Sequence, residues 1–202
     1  NTISMTDKQR TIAVFDFDGT ITDRDSFGSF VKAVKGTPRF CLGICMQMPR
    51  LVGYKLGIIR NDKAKEALFG TYFRGMGMNE FRRAGERFAD SIDRRLRPDT
   101  MTKLNWHLSM GHDVYIVTAS MPQWIRPWAT AYGISDVIGT EPETDSSGVL
   151  TGRFATPNCY GPEKVRRFIQ AEPNRSSYLL IAYGDSEGDR EMLDEADESH
   201  LV

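Results

Sequence analysis

Cysteine is scarce in this chain, with Cys41, Cys45 and Cys159 the only three among 202 residues. So few and unpaired a set excludes the disulfide framework of a small secreted domain and is typical of reduced thiols in the cytoplasm. No secretory signal is recognisable, which favours the same compartment. Cys41 and Cys45 are spaced to share a helix face, but no further Cys or His lies near them to complete a metal site. We therefore expect both to be small core residues.

The chain also lacks an overall charge bias. Its formal net charge is -1, so composition gives no reason to expect a nucleic-acid partner. The three histidines are scattered, and none is assigned a role. Locally the charge is uneven: residues 25–99 hold 15 Lys and Arg against 8 Asp and Glu, and the remainder holds 11 against 19. The basic stretch complements either the acidic remainder of the protein or an anionic surface, and both interpretations stay open.

No apolar run is continuous enough for a membrane-spanning helix. The longest candidate, Phe40–Ile59, is interrupted by Pro49, Arg50 and Lys55, whereas a span needs about 20 predominantly apolar residues. Two interpretations of this run stay open. We expect two short helices buried inside the protein, and the alternative is a surface that dips into a lipid monolayer.

The most informative motif that is present is FDFDGT at Phe15–Thr20, which follows the apolar, β-branched run Thr11–Val14. That run is typical of a buried strand. Alternate residues of a strand share a face, so Asp16 and Asp18 point together at its carboxyl end. Two carboxylates this close repel each other unless a cation or a proton lies between them, and Gly19 permits a turn whose amides approach an anion. The set suits phosphoryl transfer beside a metal.

Three further motifs follow in order along the chain. A β-rich run ends at Thr118, Lys164 lies near the start of a probable helix, and a third buried run precedes Asp185 and Asp189. The two acids are four residues apart and share a face if a helix begins there. Taken alone, these residues also fit a helix cap, a surface lysine and a pair of acids at a helix start. Their combination is far more specific.

Together the motifs resemble the haloacid dehalogenase-like (HAD) superfamily of aspartate-nucleophile phosphatases, over nearly the whole chain. The resemblance implies that Asp16 attacks phosphorus and that Asp18 acts as general acid and base. It implies that Thr118 and Lys164 stabilise the phosphoryl group, and that Mg²⁺ is the cofactor. The metal residues that it implies are Asp16, Asp18 through its backbone carbonyl, Asp185 and Asp189. The substrate-binding residues that it implies are Gly19, Thr20, Asp25, Ala119 and Ser120.

Two parts of the chain with different patterns of apolar residues predict the domain organisation. The flanks alternate apolar strands with helical segments, which predicts an α/β fold with a parallel sheet. Residues 25–99 show no convincing strand, and their apolar residues recur at helical spacing. We predict a Rossmann-like core domain from 11–24 and 100–202 and an inserted all-helical type 1 cap at 25–99, which resembles the phosphoserine-phosphatase-like branch (subfamily IB). A β-hairpin is predicted within 139–161, extending the sheet or lying near the active-site mouth.

The resemblance implies an Mg²⁺-dependent phosphomonoester hydrolase that forms an aspartyl-phosphate. A small soluble ester, such as a phosphorylated amino acid or alcohol, is the expected substrate. Asp18 supports this activity, because dehalogenases of the superfamily lack the second Asp and its transport ATPases carry Thr there. Asp25 stands where phosphoserine phosphatases carry a Glu that binds the substrate ammonium. Gly19 replaces the Ser usual in that family and GDSEGD lacks its Asn, so both departures count against phosphoserine.

Two other functions remain as alternatives. FGSF at Phe27–Phe30 and the apolar stretch after it are similar to bacterial phosphatidylglycerophosphatase C. This implies a phospholipid-headgroup phosphatase in peripheral contact with an anionic membrane. A non-catalytic, phosphate-binding regulator is the alternative of another class, and the intact catalytic residues argue against it. The sequence indicates no protein partner.

Overall fold

The computed structural model describes residues 10–202, in which seven strands and eight α-helices are formed. The strands are β1 (Arg10–Phe15), β2 (Asp113–Val117), β3 (Asp136–Ile138), β4 (Pro142–Thr144), β5 (Leu150–Phe154), β6 (Tyr178–Gly184) and β7 (Glu198–Leu201). The helices are α1 (Ser26–Lys35), α2 (Thr37–Lys55), α3 (Asn61–Phe73), α4 (Met78–Ala89), α5 (Pro98–Ser109), α6 (Pro122–Ala131), α7 (Pro162–Ala171) and α8 (Arg190–Glu195).

Five strands form one parallel sheet in the order β3-β2-β1-β6-β7. The first strand of the chain lies at its centre, with Ile12 opposite Asp113 of β2 and Arg10 opposite Tyr178 of β6. Because all five strands run the same way, their carboxyl ends meet at one edge, which is where ligands bind in open α/β sheets. The predicted Rossmann-like α/β core is confirmed.

The central strand is apolar on both faces because both faces are covered. Ala13 and Phe15 pack into a cluster that includes residues of α5 and α6, whereas Ile12 and Val14 pack with residues of α7 and α8. None of these four side chains has exposed surface. A continuous run of apolar residues is what a strand buried on both faces requires.

The segment between β1 and α5 is helical, as predicted, with α1 to α4 followed by a 3-10 turn at Ile92–Arg95. Its core is continuous with that of the sheet domain, since the ring of Phe30 on α1 stacks on Trp124 of α6 at 4.7 Å between centroids. Helix α4 packs closely on α6 at Gly85, where an added Cβ would lie 2.0 Å from the backbone oxygen of Gln123. The limits 25–99 for a separate cap domain stay a prediction.

Helix α2 differs from the expectation for Phe40–Ile59. It is one helix of 19 residues rather than two short ones, and its buried side carries Gly43 and Gln47. Small and polar residues are therefore the buried ones, and most of the large apolar residues face out, so the expectation of a buried stretch is wrong. The expectation that Cys41 and Cys45 are core residues is wrong for the same reason, because both are exposed. The exposed large side chains, called the α2 strip below, are Leu42, Met46, Met48, Val52, Tyr54, Leu56 and Ile58. Within residues 10–202, no helix has the length and apolar character to cross a membrane.

The predicted hairpin forms from β4 and β5, which pair with each other in a separate antiparallel sheet. The expectation that it extends the main sheet is therefore wrong. It packs on helix α3 instead: the rings of Phe154 and Phe69 lie 5.7 Å apart, and the Phe154 amide donates to Glu66 Oε2 at 3.1 Å. Phe154 also lines a cavity beside the candidate site, in agreement with the alternative expectation.

Candidate active site

The carboxyl edge of the sheet brings the predicted motifs together. Asp16 follows β1 directly, Thr118 follows β2 and Asp185 follows β6, and these three strands are neighbours in the sheet. Behind them, Phe15 and Tyr183 stack with ring centroids 4.3 Å apart and planes within 3° of parallel. This stacking fixes the ends of β1 and β6 relative to each other, and with them the residues that follow.

Lys164 is the cation at the centre of this edge. Its ammonium donates to Asp16 Oδ1 and to Asp189 Oδ1, both at 2.5 Å, and all three side chains are buried. Burial disfavours a charged lysine, but the charges of Asp16 and Asp189 outweigh that effect and raise the pKa of Lys164. Burial raises the pKa of Asp16 to about 7, with Lys164 opposing the rise and Asp189 adding to it.

Asp189 orients both the lysine and the turn after β6. Its second oxygen, Oδ2, accepts from the amides of Asp185 and Ser186 at 3.2 and 3.1 Å and from the Ser186 hydroxyl at 2.8 Å. The chain forms a 3-10 turn at Glu187–Asp189 that continues into α8. The predicted proximity of the two acids therefore arises from this hydrogen-bonded turn.

Asp185 completes a group of three carboxylates. Oxygens of Asp16, Asp185 and Asp189 lie within 4.8 Å of one another, and Asp185 Oδ1 accepts from Thr20 Oγ1 at 3.0 Å. The loop after β1 approaches Asp185 so closely that a Cβ at Gly19, whose φ is +93°, would lie 2.3 Å from Asp185 Oδ2.

This donor set fits Mg²⁺. The oxygens are hard ligands in an incomplete cage, which is what the ion prefers. Lys164 pairs with two of the three carboxylates, Asp16 and Asp189, so a divalent cation would offset the remaining negative charge.

Asp18 lies apart from the lysine and contacts the insert and the turn after β2. Its Oδ1 accepts from the Ser26 amide at 2.7 Å, and its Oδ2 accepts from Ser120 Oγ at 2.5 Å. Burial and the charge of Asp25 raise the pKa of Asp18 to about 6, although the hydrogen bonds from Ser120 and Ser26 favour its ionised form. A carboxyl with such a pKa can carry a proton near neutral pH, as a general acid must.

The turn after β2 is held by its own hydroxyl residues. Thr118 is buried, and its Oγ1 accepts from the Ser120 amide at 3.0 Å. The backbone oxygen of Ala119 accepts from Thr140 Oγ1 at 2.9 Å. Thr118 and Ser120 thus lie at the edge of the sheet with Asp16 and Asp18, as their places in the motif predict.

Asp25 has a structural contact as well as a place near the site. Its Oδ2 accepts from the Gly28 amide at 2.7 Å and so caps the start of α1. The residue also lines the cavity beside Ser120. One carboxylate oxygen is therefore engaged by the helix, which the comparison of motifs alone did not indicate.

Sequence reasoning missed three residues of the site. Ser26 supplies the amide to Asp18, and Arg97 holds the loop after β1 by donating to the Gly19 oxygen at 2.7 Å. Lys65 of α3 lies in the field of Asp18, Asp25 and Asp16, whose charges oppose the lowering of its pKa by burial. Ser26 and Arg97 lie just inside the two ends of the predicted insert, which was an unused signal, whereas the sequence around Lys65 gave none.

Comparisons with known proteins agree with this geometry. Residues 13–194 match the family model of haloacid dehalogenase-like hydrolases. The chain is 35% identical over 191 residues to Protein CicA of Caulobacter vibrioides, an alignment that covers 93% of this chain and 83% of that protein.

Solved structures give the same fold. A protein of unknown function from Bordetella pertussis Tohama I superposes with a TM-score of 0.79 at 25% identity, covering 96% of this chain and 90% of that one. A substrate-bound phosphoserine phosphatase superposes with a TM-score of 0.63 at 14% identity, covering 96% and 86%. At so low an identity the second likeness concerns the fold alone.

Proposed function

Because the chain belongs to the haloacid dehalogenase-like hydrolase family, we propose that it hydrolyses phosphomonoesters with Asp16 as nucleophile and Mg²⁺ as cofactor. The observation that carries the proposal is the position of the Asp16 carboxylate. One of its oxygens is held by Lys164 at 2.5 Å, and it lies within 4.8 Å of carboxylate oxygens of Asp185 and Asp189. A nucleophile placed between a fixed cation and an acidic metal site is what in-line phosphoryl transfer requires.

The reaction proceeds in two displacements. An Asp16 oxygen forms a bond to phosphorus while the bond from phosphorus to the ester oxygen breaks, and Asp18 gives its proton to the departing alcohol. Asp18, now ionised, takes a proton from a water that attacks the aspartyl-phosphate, which releases inorganic phosphate and restores Asp16. The hydrogen bonds from Ser26 and Ser120 keep Asp18 oriented through both steps.

Asp16, the backbone carbonyl of Asp18 and Asp185 would hold the metal, with Asp189 supporting them. When bound, Mg²⁺ neutralises charge on the phosphoryl oxygens and orients them. Lys164 stabilises the same oxygens from the other side, as do the Thr118 hydroxyl and the amides of the loop at Gly19 and Thr20. The buried hydrogen bonds of Lys164 keep its ammonium fixed before substrate arrives, so little reorganisation is needed.

A small soluble phosphate ester is the substrate that we propose first. Asp25, Ala119 and Ser120 line the cavity next to Asp18 and would contact the part of the substrate beyond the phosphate. Both a phosphorylated amino acid and a phosphorylated alcohol agree with the sequence.

Hydrolysis of acetyl phosphate tests the activity and the nucleophile together. Turnover should require Mg²⁺, stop with chelator and fall by several orders of magnitude in Asp16→Asn, because the amide is similar in shape but a poor nucleophile. Asp194→Asn is the matched control, since Asp194 is exposed on α8. Turnover of Asp16→Asn within tenfold of the wild type would exclude this nucleophile. Phosphate binding by the wild type without any turnover would favour the non-catalytic regulator.

A second candidate function is hydrolysis of a phospholipid headgroup at a membrane surface, and the α2 strip favours it. The strip exposes seven large apolar side chains along one helix and the turn after it. Residues 26–61 contain no Asp or Glu but include six Lys and Arg. Basic residues near an anionic bilayer contribute about 1 kcal/mol each to binding, and inserted apolar side chains add to it.

Co-sedimentation with vesicles tests this second candidate. Vesicles rich in phosphatidylglycerol should bind the protein more than phosphatidylcholine vesicles do, and moderate salt should release it. Met46→Glu should abolish binding, whereas Ala33→Glu, which places the same charge at an exposed position of α1, should reduce it much less. If the protein does not bind either kind of vesicle at low salt, the membrane-surface function is excluded and the soluble substrate is favoured.

A further inference from the structure

A cavity of about 240 Å³ lies between the helical insert and the turn after β2. Its walls come from α1, α2, α3 and β5 on one side and from residues 119–124 on the other. Most of its lining is apolar, and five of the thirteen lining residues are aromatic. The main apolar contributors are Phe27, Phe40, Ile44, Phe69, Trp124 and Phe154.

The cavity lies on the side of the site where the leaving group departs. Ser120 lines the cavity, and its hydroxyl donates to Asp18 Oδ2 at 2.5 Å. Asp18 is the residue that protonates the ester oxygen in the mechanism proposed above. A group attached to that oxygen must therefore extend past Ser120 and into the cavity.

The polar groups around the cavity are few, and most are already engaged. Asp25 Oδ2 accepts from the Gly28 amide, and the indole nitrogen of Trp124 donates to Ser26 Oγ at 3.0 Å. Lys65 is the cation of the lining, and no hydrogen bond or ion pair within residues 10–202 engages its ammonium. It lines the cavity and lies in the field of Asp16 and Asp18, and its charge would attract the substrate phosphate.

We infer that this cavity binds the leaving alcohol of the substrate and that the alcohol carries an apolar alkyl or aryl body. The inference rests on the proposed phosphatase function and narrows it. A phosphorylated amino acid would bring an ammonium and a carboxylate into this space, where Asp25 and Lys65 are the charged residues of the lining and the other walls are mostly apolar. Each charged group would lose most of its water against these walls and gain at most one charged partner. An apolar body would instead cover the aromatic walls, and Lys65 would remain available to the phosphate.

The volume limits the size of that body. A cavity of roughly 150 Å³ holds one benzene molecule, so 240 Å³ has room for a body of roughly eight to ten carbon atoms. A 3-phenylpropyl group has nine carbons and is a suitable probe. The two acyl chains of a complete phospholipid exceed this volume and would have to lie outside it.

Substrate selectivity tests the inference, with 3-phenylpropyl phosphate, O-phospho-L-serine and acetyl phosphate as probes. Acetyl phosphate is too small to fill the cavity and reports the phosphatase activity itself. We expect kcat/KM for 3-phenylpropyl phosphate to exceed that for phosphoserine at least tenfold. Ile44→Trp, which fills the cavity from α2, should lower kcat/KM for 3-phenylpropyl phosphate about tenfold, mainly through KM, and change acetyl phosphate turnover less than twofold. Ala33→Trp, at an exposed position of α1, is the control of equal size and should change neither.

The outcomes separate the two proposals. No turnover of any of the three phosphate compounds would overturn the phosphatase function. Turnover of acetyl phosphate, which is an acyl phosphate, with a preference for phosphoserine between the two esters would overturn the cavity assignment alone, as would equal losses on acetyl phosphate and 3-phenylpropyl phosphate in Ile44→Trp. Monomeric 3-phenylpropyl phosphate and phosphatidylglycerophosphate in vesicles distinguish a soluble source of the apolar group from a lipid one. A preference for 3-phenylpropyl phosphate over phosphoserine supports the cavity assignment, whereas a preference for the lipid alone would place its apolar chains outside the cavity and overturn the assignment.

Discussion

Ser120 donates a hydrogen bond of 2.5 Å to Oδ2 of Asp18, and this contact joins the turn after β2 to the loop after β1. The other carboxylate oxygen accepts from the Ser26 amide at the start of α1. Three separate parts of the chain thus fix the orientation of one carboxyl group. Since the pKa of Asp18 is raised to about 6 by burial and by Asp25, the carboxyl group is held in one orientation and can carry a proton near neutral pH, as the proposed mechanism requires.

Replacing Asp18 should have an effect that depends on the leaving group. We expect Asp18→Asn to lower kcat for an alkyl phosphate by about 10²–10⁴, because a poor leaving group needs the proton. The same substitution should lower kcat for p-nitrophenyl phosphate much less, since nitrophenolate departs without protonation. Steady-state rates of the two esters measure the difference. Equal losses on both would show that Asp18 positions the substrate rather than acting as an acid.

Removing the buried lysine should destabilise the fold as well as stop the reaction. Lys164→Met leaves Asp16 and Asp189 buried without their cation, which costs about 3–5 kcal/mol when a buried pair loses one partner. Urea unfolding in chelator at pH 8 measures the loss. Lys164→Met combined with Asp189→Asn should recover part of that stability, because one uncompensated charge is removed. A single variant as stable as the wild type would contradict the burial of this network.

The contact between α4 and α6 should make a Gly-to-Ala change in α4 destabilising, although such a change usually stabilises a helix. Alanine in a helix interior is more favourable than glycine by roughly 0.5–1 kcal/mol. In Gly85→Ala the new Cβ would lie 2.0 Å from the Gln123 oxygen, so we expect a loss of about 1–3 kcal/mol from forced displacement. Arg83→Ala, at an exposed position of the same helix, is the control. Thermal unfolding of the three proteins measures these changes in stability. A Gly85→Ala variant more stable than the wild type would contradict the close approach of the two helices at this point.

His107 should make the protein acid-sensitive. It is fully buried, and its Nε2 lies 2.9 Å from the Tyr183 hydroxyl. Burial and the nearby His112 lower the pKa of His107 from 6.5 to about 4. The unfolded chain therefore binds a proton at a higher pH than the folded chain does, and stability is lost as the pH falls from about 6.5 towards 4.

Unfolding free energies measured across that range test the histidine's share. The free energy of unfolding of the wild type should change with pH more steeply than that of His107→Gln. The difference should reach up to about 1.4 kcal/mol per pH unit, which corresponds to one proton. Groups that do not contact His107 contribute equally to both proteins and cancel in the comparison, and the variant His112→Gln, alone and with His107→Gln, measures the share of the one neighbouring histidine. Identical slopes would show that His107 does not take up this proton on unfolding.

The sequence predicted those parts of the site that follow from strand geometry. Asp16 and Asp185 each come directly after an apolar run, and the ends of parallel strands meet at one edge whatever the rest of the chain does. The helical character of the insert was equally accessible, because periodicity is a local property. These positions depend little on how helices pack.

What the sequence did not predict depends on which surface each helix buries. Helix α2 turns Gly43 and Gln47 inward and most of its larger apolar residues outward, contrary to the usual rule that apolar residues are buried. Lys65 reaches the site only because α3 is packed against α2 and β5. Such contacts join residues far apart in the chain and leave no local pattern.

The central place of β1 sets the order in which the molecule can assemble. Its two partners in the sheet begin at residues 113 and 178, so this apolar strand remains without one neighbour until the chain has been made beyond residue 178. Pairings over such separations form slowly, and an unpaired apolar strand is prone to aggregation. A nascent chain that has not passed this point therefore presents the strand to chaperones or to other chains, and Asp16, the proposed nucleophile, gains Lys164 and Asp185 as neighbours only at that late stage.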